Sequence, residues 1–599
     1  MGYNKLQFRT DVCLKTAVLL ILLLAIATLI PINITAVNAK QINPSFSRPL
    51  HLNSTLGMGY LRTSASNDPH YFSMESYRPL PPSSNPIVVN IANNALFASS
   101  GTTPQEFNVF IPAISASTIL LNVTIRETGG PQYDRPFYVY ANGVPLLWGS
   151  TQEIFNSTAL VDVTYYEYLL RGTVRFDIIL INYLAPQIGI TGVYYVNATL
   201  YIYPGKPPVG LPNAFIPLFP NQNSLSLVRL NPSTSSALMN INIPTGTYRM
   251  ATLLYTEGLG LDEFWYAILP AIRNVLIYYD NLLAGVVQPY ETIYTGGISP
   301  FYWRPITSVN TLAFHSSYII DLTPMLALGQ TGTLNVTVTN LKLAAQLTGP
   351  SLGWYISGVL LLWVNPSNPL QNGSLYSYNA KYFDSGPEFS GESYLIYDER
   401  GNYSITVASN LNFLYGQENA VFRQVGSFST HQLIGETFQN LTLTQTTIIS
   451  SVEQGFYSAT QFYEISYPIT LDSSFVITPI DNPNQIPYRA LYTEIDFVNP
   501  SLSYYSVSTF GSYRESKSIS ENVAVNGEFS FLLLIINQYG GAIILGITYN
   551  YADTKKFLQA IDANNYGGWE ELYYAEALVN SPTQRYGNLT NFILIYLQF

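Results

Sequence analysis

Cysteine is almost missing: Cys13 is the single thiol in 599 residues. It lies in the N-terminal segment, so the rest of the chain holds neither disulfides nor thiol chemistry. Charge is also scarce. Only 11% of residues are charged and the net charge is −11, which excludes the basic stripe that nucleic-acid binding requires. The four histidines, His51, His70, His315 and His431, are scattered singly. There is no HExxH, no paired CxxC, no GxSxG elbow, no P-loop and no GxGxxG. These gaps argue against zinc, Ser-His-Asp and nucleotide chemistry, and neither a metal nor a cofactor is expected. Carboxylates are the one well-supplied catalytic group.

What the chain has instead is tyrosine, 48 of them, with abundant Asn, Thr and Ser. Solubility therefore rests on hydroxyls and amides, which suits acid surroundings where carboxylate networks fail on protonation. The length implies two to four domains. Lys5, Arg9 and Lys15 flank the apolar run Ala17 to Ile30, followed by Pro31 and the small-residue site Val37-Asn38-Ala39. That is the pattern of an export signal cleaved after Ala39. The alternative is a retained anchor, with the apolar run extended through Ala36 toward the ~20 residues a spanning helix needs. The chain is thus expected outside the cell or at its surface, with membrane attachment only through that segment. Asn-X-Ser/Thr sequons, Asn122, Asn197 and Asn402 among them, fit an exported glycoprotein.

Strand signals dominate. Val174 to Leu184, Val193 to Tyr203 and Val275 to Asp280 are β-branched or aromatic runs bounded by Gly, Pro and Asn. The run from Val193 is apolar enough to predict a strand buried inside a sandwich. The clearest helical window past the signal is Thr554 to Ala563. Proline marks the breaks at Arg78 to Pro86, Tyr203 to Pro220 and Asn365 to Pro369. The reading is all-β: a signal or anchor over 1–39, a Pro-rich linker over 40–86, jelly-roll or similar sandwich domains over 87–205 and 207–366, and a C-terminal β-rich domain over 370–599.

Tyr133-Asp134-Arg135 opens a strand, although Asp is a poor strand residue. Something must hold that carboxylate there. It is either a structural ion pair at a strand entry or a functional acid. Asp262-Glu263-Phe264-Trp265-Tyr266 is the second concentration of acid and aromatic groups. Glu127, just before Gly129-Gly130, reads as a turn residue. Asp384 to Glu388 with Glu392 reads as a solvated loop in preference to a calcium site.

These motifs, with others in order, resemble the peptide-N4-(N-acetyl-β-glucosaminyl)asparagine amidases of the plant-type amidase A branch. The resemblance is carried by Gln132-Tyr133-Asp134-Arg135 with Gly143-Val144-Pro145-Leu146-Leu147, by Thr191 to Leu200, by Asp262 to Tyr266, by Ile293 to Ile306, and by Asp321-Leu322-Thr323-Pro324. It covers about residues 90–365 and implies two jelly rolls and an N-glycopeptide or N-glycoprotein substrate. The implied reaction cuts the amide between the first N-acetylglucosamine and Asn, giving a glycosylamine and Asp. It implies Asp134 and Glu263 as the catalytic carboxylates. A third family carboxylate falls near Asn182, which cannot act as a base. Arg135, Asp262, Trp265, Tyr302, Trp303 and Arg304 are the expected substrate contacts. The rival reading is a non-catalytic glycan-binding or envelope protein on the same scaffold. A glycosidase using the same two acids is the third.

Overall fold

The computed structural model describes residues 81–128, 135–151, 156–186, 191–260, 262, 265–266, 269–289, 319–348, 352–435, 437–455, 458–482, 484–485, 488–511, 513–536, 539–563, 569–578, 584–585 and 592–593. Among them strands dominate, and the fold is all-β. No helix among the described residues is long and apolar enough to cross a membrane.

The first sandwich is built from β1 (Ile87–Phe97), β2 (Gln105–Ile111), β3 (Ala116–Thr128), β4 (Pro136–Ala141), β5 (Val144–Ser150), β6 (Asn156–Asp162), β7 (Gly172–Leu180) and β8 (Val193–Pro204). They form two four-stranded antiparallel sheets, ordered β1-β8-β3-β6 and β2-β7-β4-β5. The pairings β1 with β8, β2 with β7, β3 with β6 and β4 with β5 are those of one long hairpin wrapped across two sheets. β8 is the sandwich strand expected from Val193 to Tyr203, buried chiefly by one face. Tyr194, Val196, Ala198, Leu200 and Ile202 point into the core, while the residues between them are half-buried or exposed. Its aromatic outer face hid this period of two from the hydrophobic pattern. Glu127 is no turn residue: it lies inside β3 and is 3% exposed.

The second sandwich repeats that order strand for strand. Its elements are β9 (Ala214–Pro217), β10 (Val228–Leu230), β11 (Ser236–Asn242), β12 (Thr247–Gly260), β13 (Val275–Tyr279), β14 (Leu282–Val287), β15 (Ile319–Asp321), β16 (Thr331–Val338) and β17 (Leu352–Val364), with a short helix α1 (Leu341–Thr348) before the last. The sheets run β10-β17-β12-β15, with β9 added beside β17, and β11-β16-β13-β14. β17 is buried almost throughout. One of its faces packs on the second core and the other meets the first sandwich, which explains its near-continuous apolar sequence.

That junction is aromatic. The Tyr138 and Trp148 rings stack at 3.7 Å. Trp148 lies parallel to Tyr255 at 6.3 Å and Tyr138 meets Tyr355 edge-on at 6.4 Å. Burying such side chains contributes roughly 1.5–3 kcal/mol each. At the β4–β5 turn Gly143 has φ +83°, and a Cβ there would stand 2.2 Å from the Ser224 carbonyl oxygen. Only glycine lets this turn touch the second sandwich.

The third region is a meander of long strands: β18 (Leu370–Asp384), β19 (Glu388–Ser390), β20 (Leu395–Phe413), β21 (Gly416–Ile434), β22 (Phe438–Gly455), β23 (Ala459–Pro479), β24 (Tyr488–Phe510), β25 (Tyr513–Ile536), β26 (Tyr539–Ala563) and β27 (Trp569–Leu578). Successive long strands pair antiparallel from β20 to β27. The 25 residues of β26 span about 80 Å at the usual strand rise. The helical expectation for Thr554 to Ala563 is overturned, because this stretch ends β26 and pairs with β25 and β27 on its two sides. Two satisfied ladders override local helix propensity.

The meander docks face-on against the second sandwich through polar groups. The Gln424 amide accepts from the Val286 N–H at 2.9 Å and donates to the Val286 carbonyl at 2.7 Å. β14 is the edge of its sheet, so this side chain caps backbone groups that would otherwise be open. Arg249, buried between the Trp363 and Phe510 rings, donates to Glu453 at 2.9 Å and to Gln461. Asp321 accepts from Ser451 and lies 3.9 Å from the same guanidinium.

Candidate active site at the sandwich junction

The strand that carries the first motif is clamped at its start. The Arg135 N–H donates to Thr151 Oγ1 at 2.8 Å, and the Thr151 N–H donates to the Arg135 carbonyl at 2.8 Å. The buried Arg135 guanidinium donates through Nε to Asn182 Oδ1 at 3.3 Å, and Asn182 Nδ2 donates to the Gly192 carbonyl at 3.0 Å. The residue after Asp134 is therefore fixed in both backbone and side chain. Asp134 itself lies outside the described residues, as do Glu263, Tyr302, Trp303 and Arg304.

In the second motif, Asp262 is fully buried. Its carboxylate accepts from Arg273 Nη2 at 2.8 Å and Nε at 2.9 Å, and from Trp354 Nε1 at 2.6 Å. Arg273, equally buried, spends Nη1 on the carbonyls of Pro270 at 2.7 Å and Ile272 at 3.0 Å. This is a bidentate ion pair with its remaining valences satisfied. Trp265 is also fully buried, edge-on to Tyr266 and 6.4 Å from Trp354. Both residues were expected to touch substrate. The structure commits them to the core instead, where they anchor the segment whose sequence also carries Glu263. Arg135 is likewise buried, 9% exposed.

The described residues of the two motifs, Arg135 and Asp262, lie toward the same end of the junction. β4 tracks β17 in parallel: Tyr138 meets Tyr355, Tyr140 lies by Ser357, and the Gly143 carbonyl accepts from Ser226, whose hydroxyl accepts from the Gly358 N–H. Running β4 backward from Tyr138 to Arg135 therefore follows β17 back toward Leu352. Leu352 pairs with Gly260, two residues before Asp262.

Between the motifs sits a carboxylate that pattern reading missed. Glu257 on β12 is half-exposed and accepts a 2.5 Å hydrogen bond from the buried Tyr138 hydroxyl. Burial first, and then Glu257, push Tyr138 well above the ordinary phenol range, so it stays a donor. Half-exposed Tyr355 and exposed Arg229 stand beside it. The available signal was one acid within a strand of mainly apolar and threonine residues. Among the described residues no three His, Cys, Asp or Glu side chains gather as metal ligands. Asp384 instead accepts from the Gly386 N–H of its own turn.

Two antiparallel β sandwiches packed on an aromatic junction, with Arg135 and Asp262 toward one end of it, define the class. The model of the family described as peptide N-acetyl-beta-D-glucosaminyl asparaginase amidase A matches residues 80–271 and 269–381, about half of the chain. The chain belongs to that family. It is 28% identical over 311 residues to the Prunus dulcis peptide-N4-(N-acetyl-beta-glucosaminyl)asparagine amidase A. That match takes in 45% of this chain and spans about half of that relative's length, 52%. Two solved structures are similar at lower identity. One is a peptide-N(4)-(N-acetyl-beta-D-glucosaminyl) asparagine amidase, 17% identical, with 47% of this chain and 97% of that one covered and a TM-score of 0.33. The other is PNGF-II, 17% identical, with 47% and 66% covered and a TM-score of 0.34.

Proposed function

We propose that this chain is an exported glycoamidase that hydrolyses the amide joining N-acetylglucosamine to Asn in N-glycopeptides or N-glycoproteins. The observation that supports the reading is that Arg135 and Asp262, the described neighbours of the family's two acids, lie toward the same end of one inter-sandwich junction. An amide is a reluctant electrophile, so water must lose a proton as it attacks and the departing nitrogen must gain one. Asp134, beside the clamped Arg135, takes the proton from water. Glu263, beside the anchored Asp262, gives one to the nitrogen as the C–N bond breaks. Each such transfer typically contributes ~10²–10⁴-fold. The carbonyl carbon keeps the new oxygen, so Asn becomes Asp and the sugar leaves as a glycosylamine. In this reading Arg304 donates hydrogen bonds to the developing oxyanion, and the rings of Tyr302 and Trp303 stack on sugars. Asp262, Trp265 and Arg135 serve this site by holding it.

The test incubates purified wild type and Asp134→Asn with an N-glycopeptide in ¹⁸O water and follows the peptide by mass spectrometry. Release of intact glycan with one ¹⁸O in the new Asp, absent in the variant, is the expected result. A peptide retaining Asn with a sugar stub would assign a glycosidase instead. No conversion from pH 2 to 7, with glycan binding kept, would assign a binding protein.

A further inference from the structure

The segment joining β12 to β13, which carries Asp262 and Glu263, is gripped from outside the two sandwiches. The Tyr397 hydroxyl on β20 accepts from the Ala271 N–H at 2.8 Å and donates to Glu399. Glu399 also accepts from Asn340 Nδ2 at 2.8 Å, and that same amide reaches the Ile272 carbonyl at 3.3 Å. Gln432 on β21 donates to the Tyr266 carbonyl at 3.3 Å, and Asn274 Nδ2 donates to the Tyr382 hydroxyl on β18 at 3.1 Å. Leu269 and Ala271 complete the contact by packing with Tyr397 and Ile434 in a small apolar cluster of their own. Tyr397, Ala271 and Gln432 are fully buried. Arg273 sits inside this gripped stretch and holds Asp262 in turn. Most of the partners, Tyr397, Glu399, Gln432 and Ile434, lie beyond residue 381, where the family match ends.

We infer that the C-terminal meander is a positioning part of the active site, with Tyr397 and Gln432 fixing the backbone that presents the second acid motif. Neither side chain touches the reacting atoms. They act through the segment from Tyr266 to Asn274, and through Arg273 on Asp262. Such an arrangement makes the two sandwiches dependent on a third region for catalysis, and gives strands β18, β20 and β21 a positioning role. The inference rests on the amidase reading for its catalytic half only; the grip is a separate physical claim.

The experiment uses the full chain with Tyr397→Phe, which removes the hydroxyl that accepts the Ala271 N–H, and Gln432→Met. The control is Tyr376→Phe, whose hydroxyl bonds Asn419 at an exposed place on the same sheet. Hydrogen exchange followed by peptide mass spectrometry reads residues 266–274, and amidase kinetics give kcat and KM. Both test variants are expected to speed exchange in that segment about tenfold, because each loses a buried hydrogen bond to its backbone. They are expected to lower kcat about tenfold with KM unchanged, as small misplacements of reacting groups do. The control is expected to change neither. Unchanged exchange in both variants refutes the grip. Faster exchange with unaltered kcat refutes the catalytic dependence. A wild-type chain that cleaves no glycopeptide refutes the amidase reading and the catalytic half with it, while exchange still decides the grip. If Tyr397→Phe fails to fold, Gln432→Met carries the same two readouts.

Discussion

A pH dependence of stability follows from the buried acid Glu399. Glu399 is 1% exposed, and burial, its largest influence, with the nearby Asp384 carboxylate adding to it, pushes its carboxyl from 4.5 up to about 7. Hydrogen bonds from Tyr397 and Asn340 pull the other way and do not win. Below about pH 4.5 the group is protonated whether the chain is folded or not. Between there and about pH 7 the unfolded chain loses the proton while the folded chain keeps it, so stability falls as pH rises. A shift of that size corresponds to about 3 kcal/mol lost by pH 7. Glu453 is raised as well, again chiefly by burial, and its effect has the same sign. Circular-dichroism melts at pH 4.5, 5.5, 6.5 and 7.5 on wild type and Glu399→Gln measure it. The wild-type midpoint should drop by roughly 5–10 °C across that range, at about 2–4 °C per kcal/mol for a cooperative unit of 150–250 residues. Glu399→Gln has no proton to lose, so its drop should be clearly smaller. A wild-type midpoint that stays level or climbs, or a variant with the full wild-type slope, would refute the argument.

Arg273→Met leaves Asp262 as a buried acid with no cation, and should destabilise the chain by about 3–5 kcal/mol; a urea midpoint that barely moves would count against the pair as an anchor. Gly143→Ala forces a side chain onto a φ of +83° and against Ser224, and should cost about 1–3 kcal/mol. Thermal melts check it, and a variant as stable as wild type would show that the turn can yield. Glu257→Gln should lower amidase kcat by ~10²-fold or more if its carboxylate shares in proton transfer, with Tyr138→Phe milder; equal kcat in wild type and Glu257→Gln removes Glu257 from the chemistry.

The all-β class was legible because β-branched and aromatic runs and their Gly, Pro and Asn boundaries act locally, and β7, β8 and β13 fall where those signals are. The role of Asp262 was not legible. An acid beside aromatics gives the same pattern whether it faces substrate or core, and what decides is its partners. Arg273 is 11 residues away in the chain and Trp354 is 92 away. Glu257 was overlooked for a related reason: a single acid in a mainly apolar strand acquires meaning only when another sandwich brings Tyr138 to it. Glu127 was misread because the glycines after it signal a turn, while its own inward direction comes from the register of β3 against β8.

The C-terminal region resisted reading for a deeper reason. Along β20 to β22 the inward positions include Glu399, Gln424, Gln432 and Glu453, all buried. A pattern of polar residues on both faces looks like a strand without a core side. Such a strand is also weakly fixed in register, since a slip by one residue exchanges two similar faces. The fold answers this with bonds from inward side chains to fixed points on the second sandwich: Gln424 to Val286, Gln432 to Tyr266, Tyr397 to Ala271 and Glu453 to Arg249. A one-residue slip of any of these strands would turn its pinning side chain to the opposite face and strand the backbone or guanidinium group it serves. Two of these register-setting contacts, Gln432 to Tyr266 and Tyr397 to Ala271, also hold the segment bearing the second acid motif, so register and the placement of that segment are specified together.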